Sequence, residues 1–174
     1  SRFTEYHALT LADERFEAVR MAMQAGIEAG VFAPQLHGQC HYWPPALLAT
    51  ARKEAAVRDW LAAPEPAATE ALPSPLQSRW VDASDLPSRA LPTAAIEQAV
   101  AVETATYRAV LGRLPQVAVA TTFIWSEAVE AAWARSGIDV VVTPGQRATC
   151  RDAAGRPGCV DASILSGERS RAGQ

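Results

Sequence analysis

Apolar residues at Phe16, Val19, Met23 and Ile27 recur every three or four positions, which predicts a helix over about 10–29 with one apolar stripe. Thr10 reads as its N-cap, with Asp13 three residues on as a short capping box, and Gly30 as its terminator. The run Val31-Phe32-Ala33-Pro34-Gln35-Leu36 predicts a short buried strand, with Pro34 at a bulge or near its middle. His37-Gly38-Gln39-Cys40-His41-Tyr42-Trp43 follows. Pro44-Pro45 then opens another helix with Leu47, Leu48, Val57, Trp60 and Leu61 on its inner side.

Between residues 62 and 92 the periodic pattern disappears. Pro64, Pro66, Pro73, Pro75, Pro87 and Pro92 mark this stretch as a long irregular excursion pinned by Leu76, Trp80 and Val81. Ile96, Val100, Glu103, Tyr107 and Val110 then predict a helix over about 93–111, ended by Gly112. The β-branched, uncharged run from Val117 to Ile124 reads as a central strand. A short helix from Ser126 to Gly137 and a strand from Ile138 to Thr143 come next. The last thirty residues show no periodic core pattern, and 155–158 reads as a turn. Strands alternating with helices predict one α/β domain over 1–174, with a mostly parallel sheet that is open or closed into a partial (β/α) barrel.

Composition sharpens this picture in three ways. Nearly half of the 174 residues are hydrophobic, which excludes a disordered tail or a collagen-like fibre. Sixteen basic residues against nineteen acidic ones leave no positive field to attract nucleic acid, so no nucleic-acid partner is expected. No apolar run approaches the roughly 18–20 residues that span a bilayer, so no membrane partner is expected either. Fifteen Arg, one Lys and 36 Ala look like drift in a GC-rich genome, and the arginines are not read as a recognition surface. No signal sequence follows Ser1, and the location expected is cytoplasmic. There Cys40, Cys150 and Cys159 are expected as free thiols, although the last two have the option of pairing. The oligomeric state is left open.

Chemistry gathers at His37 and His41, two of the three histidines. They stand between a predicted strand and a predicted helix, at the edge where α/β folds bind ligands. Imidazoles four residues apart, with Gly38 loosening the turn, are able to converge on one divalent metal, Zn above all. The plainer alternative is a pair of hydrogen-bonded loop residues. A third ligand is not selected by spacing: His7, Asp13 and Asp139 all qualify, whereas Glu5 and Glu14 read as solvated charges. Cys40 reads as a spectator. Tyr42, Trp43, Thr122 and Trp125 are the candidate substrate-binding residues, aromatic faces and a hydroxyl suited to a sugar ring; Trp125 as core packing is the alternative. Arg147, beyond the third predicted strand, reads as an anion contact or a solvated charge. No dinucleotide, Walker-type, serine-hydrolase or thioredoxin motif occurs.

The helix ending at Gly30, the strand from Val31 to Leu36 and then His37-Gly38-Gln39-Cys40-His41 resemble the second motif of the polysaccharide deacetylases, metal-dependent carbohydrate esterases. Thr122-Phe123-Ile124-Trp125, Ala128-Val129-Glu130 and Gly137-Ile138 are similar to a bacterial branch of that family. The likeness covers about two thirds of the chain. It implies a distorted (β/α) barrel, His37 and His41 as metal ligands, a carbohydrate substrate and hydrolysis of an N- or O-acetyl group. The family's upstream Asp-Asp pair and its downstream Leu-x-His motif have no counterpart here, and neither does its Arg-containing third motif around 117–125. The chain is therefore expected to be an internal fragment or a degenerate member, inactive by itself. The competing expectation is a non-catalytic glycan- or protein-binding domain built on the same scaffold.

Overall fold

A computed structural model describes residues 10–63, 68–163 and 167–174. Asp13, rather than Thr10, caps the first helical segment by accepting from the Arg15 amide at 3.0 Å. A 3-10 turn at Glu14–Phe16 leads into α1, Glu17–Glu28, none of whose residues is fully buried. Beyond it the chain folds back on the helix. The amides of Val31 and Phe32 both donate to the Gly26 carbonyl at 3.0 Å. Those bonds commit the segment to a helix-end turn and leave Val31 exposed, so the strand expected over 31–36 is not formed. Only Leu36 survives as a bridge, parallel to Ala118.

The helix expected to run through Leu61 is two helices, α2 at Pro44–Ala51 and α3 at Ala55–Leu61. They bury Leu47, Ala51 and Val57 against Leu72 and Leu76, which come from the proline-rich excursion. That excursion is ordered around its apolar residues: Trp80 and Val81 are buried as well, and β1 (Val81–Asp82) pairs antiparallel with β2 (Arg89–Ala90). Pro64 and Pro66 lie outside the described residues.

α4, Thr93–Leu111, matches its expected span and ends at Gly112, whose φ of 71° suits a residue without a Cβ. β3 (Val117–Val119) and β4 (Val140–Val142) pair in parallel, Val117 opposite Val140, with α5 (Glu127–Arg135) as the crossover. Both strands are shorter than their apolar runs, because Thr121–Phe123 coils into a 3-10 turn and Val140 and Val142 stay exposed at the edge. β5 (Gln146–Arg151) and β6 (Pro157–Ser163) form an antiparallel hairpin that the periodicity did not reveal. It closes through a Cys150–Cys159 disulfide, which corrects the expectation of thiols at these two positions.

The barrel is therefore overturned. Among the described residues the strands form three separate two-stranded sheets, two of them antiparallel, with no closed or mostly parallel sheet. The physical reason lies in strand length. Pairs of two or three residues present too few ladder bonds to recruit neighbours, and the helices supply the core instead. That core joins Leu36, Trp80, Ile96, Val100, Ala118, Trp125, Val129, Trp133 and Ile138, with Trp80 edge-on to Trp133 at 5.8 Å.

Candidate functional site

Leu36 and β3 run parallel, so their carboxyl ends open on the same side. The Leu36 amide donates to Val117 O at 3.0 Å, and the Val119 amide returns to Leu36 O at 2.8 Å. This pairing delivers His37 beside the end of β3, where its Nδ1 lies 3.0 Å from Val119 O. A carbonyl only accepts, so Nδ1 carries the proton, and in the neutral ring Nε2 presents its lone pair outward. His41 returns edge-on to His37, with ring centroids 4.7 Å apart and planes at 75°. Burial first, and repulsion from His37 second, depress the His41 pKa, while Glu70 pulls the other way. Gly38 permits the tight path between the two rings with a φ of 89°.

Beneath this loop lies a residue whose role the sequence reading missed. Glu103 of α4 is buried, and its Oε1 accepts from Arg79 Nε at 2.7 Å and pairs with Nη2 at the same distance. A Cβ on Gly38 would sit 3.7 Å from that oxygen. Burial pushes the Glu103 carboxyl up, against the opposing pull of Arg79 and of the Gln39 amide. Arg79 in turn stacks over Trp43 at 5.3 Å and Trp80 at 5.4 Å, and its amide donates to Thr121 Oγ1 at 3.3 Å. One ion pair thus ties the histidine loop, the excursion, α4 and the end of β3 together. The signal was present in the sequence, since Glu103 stands on the inner, apolar register of its helix. Glu70 carried no such signal.

Beside the loop, α1, residues 32–39 and α4 enclose a cavity of about 580 Å³ that His37, Gly38 and Glu103 help to line. Tyr107 donates to Pro34 O at 2.8 Å and Gln24 Nε2 to Val110 O at 3.1 Å, which fixes two of its walls. At the carboxyl end of β3, Thr122 and Phe123 adopt left-handed φ values of 53° and 55°, a strain often held at ligand-facing turns.

The other expected residues are placed as follows. Tyr42 packs edge-on to Trp60 at 5.7 Å, and Trp43 is half-buried under Arg79. Trp125 is fully buried and donates to Glu130 Oε1 at 2.8 Å, so it is core packing. The Thr122 hydroxyl donates to Thr121 O. Arg147 is buried and paired with Glu130, which corrects its reading as an anion contact or solvated charge. Asp13 is engaged by Arg15, and Asp139 lines a different cavity with Thr143. His7 lies outside the described residues. Among the described residues no three His, Cys, Asp or Glu side chains group closely enough to hold a metal, and no helix is long and apolar enough to cross a membrane.

No family model, curated protein or solved structure matches the chain.

Proposed function

We propose that the loop from His37 to His41 is a divalent-cation site inherited from a metal-dependent acyl hydrolase, a polysaccharide deacetylase-like protein whose reaction is removal of an N- or O-acetyl group from a carbohydrate. The observation that supports this reading is the edge-on meeting of the two rings at 4.7 Å, one of them oriented by the Val119 carbonyl. A ligating histidine commonly donates its second ring N–H to a carbonyl in this way. Imidazole donors suit Zn(II), which when bound supplies a Lewis acid toward a carbonyl oxygen. His37 and His41 would hold it, and the adjoining cavity would receive the acyl side of the substrate.

Two imidazoles without a third ligand hold a cation weakly. Each missing proton-transfer group costs about 10²–10⁴ in rate, so release of acetate from chito-oligosaccharides by this chain alone is expected to be undetectable. The test is titration with Co(II), followed by its visible spectrum and by calorimetry. Saturable uptake, displaced by Zn(II) and lost in both His37→Ala and His41→Ala, supports the site. Uptake that survives both substitutions, or none by the parent chain, refutes it. The second reading, a non-catalytic binding domain, draws on one observation: the lack, among the described residues, of a third ligand near the pair. Binding of a chito-oligosaccharide without added cation and without hydrolysis would decide for it.

A further inference from the structure

A cation held by His37 and His41 needs a further donor, and two imidazoles with one carboxylate are a set that recurs in catalytic zinc sites. As the side chains stand, no third His, Cys, Asp or Glu of the described residues lies close enough to the pair. The donor therefore has to come from a side chain that is free to turn. Most candidates are not. Glu103 is buried under the loop and held by Arg79, and the Cys40 thiol donates to Tyr42 O at 3.2 Å. Asp13 is bound by Arg15.

Glu70 differs from all of these. It stands in the middle of the 3-10 turn Thr69–Ala71, exposed, and its carboxylate makes no hydrogen bond or ion pair with the described residues. The backbone on either side of it is fixed. Trp60 Nε1 donates to Ala68 O at 3.0 Å, and the Leu72 amide closes the turn on Thr69 O at 3.0 Å. Leu72 itself is buried with Leu47, Val57 and Leu76. The same Trp60 ring meets Tyr42 edge-on at 5.7 Å, and Tyr42 is the residue after His41. One tryptophan thus holds the Glu70 turn against the end of the histidine loop. The closeness is felt electrostatically: burial and then His37 lower the His41 pKa, and the Glu70 charge pulls it upward.

We propose that Glu70 is the third protein ligand of the His37–His41 site, its carboxylate turning onto a divalent cation that the two rings hold. This donor set places one negative charge against the cation and leaves a coordination position for water or a substrate oxygen. The assignment rests on the cation site proposed for those rings. It also gives the proline-rich excursion a task, which is to carry a carboxylate to a loop that no local sequence pattern joins to it.

The test follows the chain's own nuclei during titration with Zn(II). With ¹⁵N-histidine and ¹³C-carboxyl glutamate, the ring nitrogens of His37 and His41 and the Glu70 carboxyl carbon should shift together, with one midpoint. The Glu70 resonance is assigned by its loss in Glu70→Gln. That exposed substitution should leave the urea midpoint unchanged. It should weaken Co(II) uptake by at least the roughly 10–100-fold that loss of a ligand's outer partner costs. Glu28→Gln, exposed at the end of α1, should bind as the parent does. Ring shifts with a still Glu70 carboxyl, parent-like uptake in Glu70→Gln, or an equal loss in Glu28→Gln would each overturn Glu70 as a ligand and leave the two-histidine site standing. No ring response at all would refute the cation site and the place of Glu70 in it together.

Discussion

Two buried Arg–Glu pairs divide the molecule, and they differ in what they hold. In both, the near contacts fall on one carboxylate oxygen and the other oxygen has no hydrogen bond. In the Arg79–Glu103 pair, however, both contacts come from the arginine, and the pair lies under the histidine loop. In the Arg147–Glu130 pair, Glu130 Oε1 accepts from Arg147 at 2.8 Å and also from Trp125 at 2.8 Å. Arg147 further reaches Glu127, and it stands on β5 in a disulfide-closed hairpin. A buried ion pair is seldom the most stabilising filling for its volume, so its presence calls for a reason. For Glu130 the reason is architectural: it fixes the hairpin to α5 through the core tryptophan. For Glu103 the arrangement points to the site, because what the pair holds is the loop carrying His37 and His41.

The largest expected effect separates the two pairs directly. Arg79→Met leaves Glu103 buried with no cationic partner and should cost about 3–5 kcal/mol in urea unfolding. The double variant Arg79→Met with Glu103→Leu should recover most of that loss, yet His37 and His41 ring resonances should broaden or shift if the pair positions the loop. Unchanged ring resonances in the double variant would make Glu103 as purely architectural as Glu130. Next in size is the hairpin. Cys150→Ser with Cys159→Ser opens a short loop and should cost about 2–3 kcal/mol, read as the same loss on adding reductant to the parent chain. Arg147→Met should cost about 1–3 kcal/mol, less than Arg79→Met, since the Trp125 donor remains on Glu130. Equal losses at Arg79 and Arg147 would erase the contrast between the pairs.

The smallest effect concerns acid. Hydrogen bonds from Arg15 hold the Asp13 carboxyl down at about 2, below its ordinary 3.8. A depressed carboxyl stabilises the folded state above its unfolded pKa and loses that contribution as pH falls through the folded one. The slope of stability between about pH 4 and pH 2 should therefore flatten in Asp13→Asn, with the carboxyl resonance of the parent titrating near the lower limit. Because the group is exposed, the change in midpoint should be small.

Much of the helical content was legible in the residues themselves. The span of α4 followed from its period and from Gly112, and α5 from its place between two apolar runs. The strands were overread, because an apolar run reports burial and not pairing. Leu36 and Ala118 are buried as expected, yet the Val31 and Phe32 amides were already taken by the end of α1. The hairpin was missed for the opposite reason. Its residues, with Arg147 and Arg151 buried by ion pairing and hydrogen bonds to Ser78 and Gly155, carry no alternating apolar signal. At the site, the spacing of His37 and His41 was readable, whereas Glu70 meets His41 only through the folded excursion. Arg79 and Glu103 are 24 positions apart, and no local pattern couples them.

One consequence follows from α1, which buries none of its residues fully and meets α4 through contacts such as Gln24 to Val110. A helix attached in this way has its own opening equilibrium, of lower free energy than the global one. Its amides should exchange with solvent by local detachment, while those of α4 around Ile96 and Val100 wait for unfolding of the whole. Since α1 forms a wall of the cavity, its detachment would open that cavity to solvent while leaving the core around Ile96 and Val100 in place.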